Sequence, residues 1–164
     1  MKWLRFVTIM LTSLSMGAAY AHLLEMPAKL NFDGPMWLFL LQNLYPPGFG
    51  TVGAFTEVGA VIASIILLVA MRGQGSAFRW TALGTACLAV THAIFWIWVS
   101  PVNSTMVPLT PEMLPADWTT LRDQWEYAHA SRAILQIIAL GAFVLSILGE
   151  LPPATSMPRN AESA

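Results

Sequence analysis

Three histidines, His22, His92 and His129, lie inside stretches of chain that are otherwise apolar, and each has polar company at helical spacing. His22 precedes Glu25 by three residues, which puts the two on one helix face. Glu57 has Ser64 two turns deeper on the same side, and His92 shares a stripe with Thr85 and Trp96. Trp125, His129, Arg132 and Gln136 project within a narrow arc at about 100° per residue. Imidazoles and carboxylates in this number are adequate ligands for zinc, copper or non-haem iron. The spacing, however, supplies no HExxH, paired ExxH or CxxC pattern, and no two histidines share a predicted helix.

Ionisable groups in apolar stretches are costly, so each requires a reason. Plain structural reasons exist for single members. Glu25 reads as a solvated helix-end carboxylate, and Arg132 as a counter-ion for Glu57 or Glu126. His129 and His92 can be satisfied by bonds between helices. Trp96 and Trp98 lie where an aromatic belt belongs. The shared depth of the set is the stronger signal, because all of these groups fall toward the same end of their segments. A cavity open to that side accounts for them together.

The elements that carry these residues are four apolar segments, about Trp3 to Leu24, Val52 to Met71, Trp80 to Ser100 and Tyr127 to Gly149. Each is near the roughly 20 residues needed to cross about 30 Å of hydrocarbon. The chain of 164 residues is 56% apolar and 10% charged, with a mean hydropathy of +0.61. Soluble domains carry about 25% charged residues, so the composition points to lipid as the surrounding medium. The expected fold is all-α, a four-transmembrane-helix bundle over residues 1–150 with two long outer loops.

Basic residues orient the bundle. Lys2 and Arg5, Arg72 and Arg79, and Arg159 fall on one side; Lys29 and Arg122 on the other are diluted by six acidic residues. Both termini are therefore expected in the cytoplasm, in a bacterial inner membrane. The short Arg72-Gly-Gln-Gly-Ser loop makes the second and third helices antiparallel neighbours. The first outer loop holds an aromatic stretch from Phe32 to Tyr45, expected to form a short interfacial helix with Trp37 and Phe39 at headgroup level. The second, Pro101 to Asp123, is proline-rich, and the tail from Leu151 reads as disordered. The first segment also fits a signal peptide cut after Ala19-Tyr20-Ala21, which would leave His22 as a copper-chelating terminus. Retention is favoured, because cleavage would remove one polar face of the bundle.

A net charge of -1 without a basic block argues against a nucleic-acid partner. The single cysteine, Cys87, excludes an internal disulfide and reads as a packing residue.

Ser100-Pro-Val-Asn103 resembles the Pro-x-Asn element after the third helix of the DUF1772 (anthrone oxygenase-like) membrane family. Trp125-Glu-Tyr-Ala-His129-Ala-Ser-Arg132 is similar to the Trp-x-x-x-His-x-x-Arg element opening that family's fourth helix, and Ala21-His22-Leu-Leu-Glu25-Met-Pro27 to the end of helix one in a bacterial branch. The resemblance covers about Leu4 to Leu148; His22, Glu25 and the long aromatic outer loop lie outside the fungal pattern. It implies a four-helix membrane protein, and in some fungal members the oxidation of anthrones by molecular oxygen without a recognised cofactor. On that implication His129, with His92 second, is the base that removes the acidic methylene proton, and Arg132 and Asn103 stabilise the oxyanion. Trp125, Trp96, Glu57, His22 and Glu25 would bind the substrate, a hydrophobic aromatic drawn from the lipid bilayer. No cofactor is expected on this reading. The alternative is a non-enzymatic protein that binds a metal or haem, or serves as a subunit of a membrane complex; a homo-oligomer fits either. A transporter lacks the expected inverted repeats.

Overall fold

In a computed structural model, residues 1–150 are described, so the expectation for the tail, 151–164, lies outside the described residues. Among the described residues, four helices are long and apolar enough to cross a membrane: Lys2–Lys29, Phe49–Ala70, Gly75–Met106 and Trp118–Leu148. They are the first to fourth spans, and the bundle end that carries Lys2, Ala70, Gly75 and Leu148 is labelled inner, the other outer. A shorter helix, Gly34–Asn43, lies in the first outer loop. The fold is all-α, with the four long apolar helices packed as a bundle. Around the bundle the first span touches the second and fourth, and the third touches the fourth and second.

Every span runs further than its apolar stretch. The fourth starts at Trp118 rather than Tyr127, because its charged opening, Arg122 to Glu126, is good helix sequence that hydrophobicity alone does not register. The first continues through Pro27 to Lys29. The third passes Pro101 by way of a π-helical turn, Phe95–Val99, before the α-helical Ser100–Met106. Proline there sits at the start of the α-helical piece, where its missing N–H costs least.

The loop helix begins at Asp33, whose carboxylate accepts from the Met36 N–H at 2.9 Å. Phe39 is exposed, but Trp37, expected at headgroup level, is only 1% exposed. Its indole N–H donates to Glu126 at 3.1 Å, and its ring meets Trp125 edge-on at 6.1 Å. A buried carboxylate needs a donor, and Trp37 meets that need. The loop helix therefore folds onto the bundle as a lid.

The inner half is tightly packed. Ala60, Cys87, Leu88, Ala139 and Phe143 form one cluster, and Leu67, Met71 and Ala77 another. A Cβ on Gly84 would lie 2.7 Å from the Phe143 ring, so glycine allows the third and fourth spans to close. This half also buries Thr8, Thr12, Ser64, Thr81, Thr85 and Ser146. These hydroxyls bond to carbonyls or to each other, as Thr81 does with Ser146 at 3.0 Å and Thr85 with the Ser64 carbonyl at 3.2 Å. Small hydroxyl residues let helices approach and add bonds across them. At the inner turn Gly73 and Gly75 have φ of 84° and 55°, values that favour glycine. Large apolar side chains such as Phe55, Ile62 and Ile66 point outward, consistent with contact with a bilayer.

Candidate functional site

At 1.5 Å per residue, Glu57, His92, Arg132, His129 and His22 stand about 20–30 Å above the inner ends of their spans. All five line one cavity of about 480 Å³, as do Trp96, Asn103 and Trp125. That volume is within the roughly 300–1,000 Å³ of small-molecule pockets. Glu25 does not line it. It sits above, where its carboxylate accepts from the Tyr45 hydroxyl at 2.9 Å and lies 3.7 Å from the Lys29 ammonium.

The centre of the site is Glu57 on the second span. One carboxylate oxygen is paired with Arg132 of the fourth span, the other with His92 Nδ1 of the third at 3.2 Å. Trp96, one turn beyond, donates its indole N–H to His92 Nε2 at 3.0 Å. A nitrogen that accepts carries no proton, so the neutral His92 ring holds its proton on Nδ1 and donates it to Glu57. The same reasoning applied to His129 gives the opposite tautomer. Arg132 Nη1 donates to His129 Nδ1 at 3.0 Å, leaving the ring proton on Nε2.

Several buried polar atoms lining this space have no hydrogen-bond partner among the described residues: His129 Nε2, His22 Nδ1, Arg132 Nε and both ends of the Gln136 amide. Such atoms are rare in folded proteins because each carries an uncompensated desolvation cost. Here they converge from the first and fourth spans. Asn103 has one role fixed already, since its Oδ1 accepts from the Trp125 indole at 2.8 Å.

The walls are aromatic. The His22 ring stacks on His129 with centroids 4.2 Å apart and 29° between planes, and it touches Tyr45, Phe49 and Trp125 within 4.6–5.2 Å. The Arg132 guanidinium lies 5.1 Å from the centre of Phe95. Stacked imidazoles present faces to each other, so their in-plane lone pairs run side by side and do not meet on one ion. No group of three or more histidine, cysteine or acidic residues arranged to hold a metal occurs among the described residues.

A second ionic group closes the roof. Lys29 is 2% exposed, with its ammonium 2.9 Å from Glu126 and about midway between the rings of Tyr45 and Trp125 (5.2 and 4.9 Å). Burial, with the bond to Glu25 second, holds the Tyr45 hydroxyl protonated well above its ordinary range. The sequence reading counted Lys29 only as an outer-side charge and named Tyr45 only as the end of an aromatic stretch, assigning neither to the site. The i, i+4 spacing of Glu25 and Lys29 was the available signal. Of the two partners considered for Arg132, Glu57 is the one it meets, and Glu126 belongs to Lys29.

Comparison with known proteins returns no matching family model, curated protein or solved structure.

Proposed function

We propose that this chain is a multi-pass membrane protein of the DUF1772 (anthrone oxygenase-like) kind, which binds a flat lipophilic aromatic and oxidises an acidic methylene with molecular oxygen. The observation that carries the reading is the pairing of opposite functions in one aromatic-walled cavity. A carboxylate-held imidazole, His92, and unpartnered buried donors, His129 Nε2–H and Arg132 Nε–H, line the same space.

The donor roles favour His92 over His129 as the group that takes the proton. His129, the first choice from sequence, presents N–H to the cavity and suits an oxyanion. His92 has Nδ1–H oriented by Glu57, which leaves Nε2 as the basic atom once Trp96 moves aside. For a substrate R₂CH₂ with a conjugated carbonyl, His92 Nε2 removes one proton. The resulting enolate oxygen is held by His129 and Arg132. The carbanion carbon passes one electron to O₂, and the radical pair joins to form a C–O bond. The peroxide takes the proton back from His92 as R₂CHOOH. Loss of the remaining C–H proton with cleavage of O–O then gives R₂C=O and water, so R₂CH₂ and O₂ are consumed one to one.

The alternative, a metal site, is less well supported, because the His22 and His129 rings stack face to face instead of converging on one point.

Purified protein in lipid nanodiscs, supplied with anthrone, is expected to consume one O₂ per anthraquinone formed, faster than the protein-free reaction. His92→Ala should lower kcat by about 10²–10⁴-fold, the usual contribution of a positioned base. A wild-type rate no greater than spontaneous autoxidation sinks the oxygenase reading; a full rate in His92→Ala sinks the assignment of the base.

A further inference from the structure

Residues of all four spans line the cavity and Leu41 and Tyr45 of the first outer loop roof it, but a gap leaves it only partly enclosed. Along the second span that gap is edged by Gly50, Ala54 and Val58, all exposed and spaced one turn apart. Across from them, the His92 side chain is 34% exposed and Trp96 is 60% exposed. Ala54 and His92 stand about 24–26 Å above the inner ends of their spans, within the outer half of a hydrocarbon layer about 30 Å thick. Phe55, Val58 and Ile62 beside the gap all point outward. The opening therefore faces acyl chains. Behind it lie His129 Nε2 and the Gln136 amide, buried and unpartnered.

We infer that the cavity is loaded sideways from the outer leaflet through the gap between the second and third spans, and that its ligand is an aromatic ring bearing an alkyl or isoprenoid tail that stays in the bilayer. The inference rests on the aromatic-ligand reading above and adds the class of molecule and its route. Gly50 and Ala54 put little side-chain bulk on the second-span edge of that slot. Trp96 is the movable side of that slot, because its indole N–H bond to His92 Nε2 is what holds it across the opening. Swinging it toward lipid opens the slot and uncovers the imidazole in one motion, so the base is free only when a ligand has passed.

The test uses the full chain in liposomes with two probes, anthraquinone and an anthraquinone carrying a dodecyl chain at one ring edge. Binding is read by quenching of tryptophan fluorescence against mole fraction in lipid. The tailed probe is expected to bind within about threefold of the plain one, and Ala54→Phe to weaken both by about tenfold or more through steric filling of the slot. Thermal unfolding checks that Ala54→Phe is folded; if it is not, Val58→Phe on the same rim replaces it. Exclusion of the tailed probe, or unaltered binding with the slot filled, overturns the inference. Failure of wild type to bind either probe removes the aromatic-ligand reading and this one with it. Binding of both without any oxidation of anthrone removes only the oxygen chemistry, and the route stands.

Discussion

Gln136 is fully buried in the fourth span, lines the cavity, and has no partner for either end of its amide. An unsatisfied buried polar group costs about 1–3 kcal/mol, whereas an apolar group of similar shape does not. Gln136→Leu is therefore expected to raise the unfolding temperature while weakening binding of an aromatic ketone, measured by thermal unfolding and fluorescence quenching on one preparation. A drop in stability would mean that the amide is satisfied in the bilayer. Arg132 is expected to behave oppositely. Arg132→Ala strands the Glu57 carboxylate in a buried site, a loss of about 3–5 kcal/mol, and Glu57→Gln in the same chain should restore part of it. His22, Glu57, His92, His129, Arg132 and Gln136 were legible in the sequence because ionisable or amide groups in apolar stretches stand out against their surroundings. Lys29 and Tyr45 were not, because at a helix end a charged or phenolic side chain is ordinary, and only the packing of the loop helix buries them.

Among the elements, the third and fourth spans depend on Gly84, where an added methyl would meet the ring of buried Phe143. Gly84→Ala is expected to destabilise by about 1–3 kcal/mol, the usual cost of overpacking, as seen in thermal unfolding in detergent. The first and fourth spans are also joined at their inner ends, where the Arg5 guanidinium donates to both oxygens of Glu150 at 2.6 Å. These bonds hold the Glu150 carboxyl below its ordinary range. The stabilisation is thus complete above the ordinary carboxylate pKa and disappears as pH falls through the lowered value. Because Glu150 is exposed, the effect is small. Glu150→Gln should unfold slightly below wild type at neutral pH and coincide with it in strong acid. The apolar segments gave the number, order and centres of these helices. They did not give the ends, since a helix that leaves the bilayer is continued by capping, charge pairs and loop packing, which hydropathy does not measure.

At the scale of the whole molecule, polarity is distributed unevenly along the bundle axis. The inner half buries hydroxyls already bonded within or between helices, whereas the outer half holds two charge clusters, Arg132–Glu57–His92 and Lys29–Glu126. Lys29→Met removes the cation that faces Glu126 and is expected to loosen the roof, with increased proteolysis within residues 30–48 and a loss of about 3–5 kcal/mol for the stranded carboxylate. Proteolysis unchanged from wild type would show that the Trp37 bond alone anchors the lid. The basic residues at the inner ends predict that single cysteines placed before Trp3 and in the Arg72 to Ser76 turn react only with membrane-permeant reagents in intact cells. Labelling by an impermeant reagent would invert the topology and put the cavity on the cytoplasmic flank.

The π-helical turn at Phe95–Val99 gives the third span one residue more than an α-helix would use over the same height. Deleting a single residue there, such as exposed Ile97, would let the turn relax to α over the same height, so Asn103 above it and His92 below it would keep their bearings. The same deletion in the α-helical stretch just below has no surplus residue to draw on and would rotate everything above it by about 100°. The π turn is therefore a reservoir of register: a one-codon loss inside it spares the site, whereas one a turn lower swings Asn103 away from Trp125.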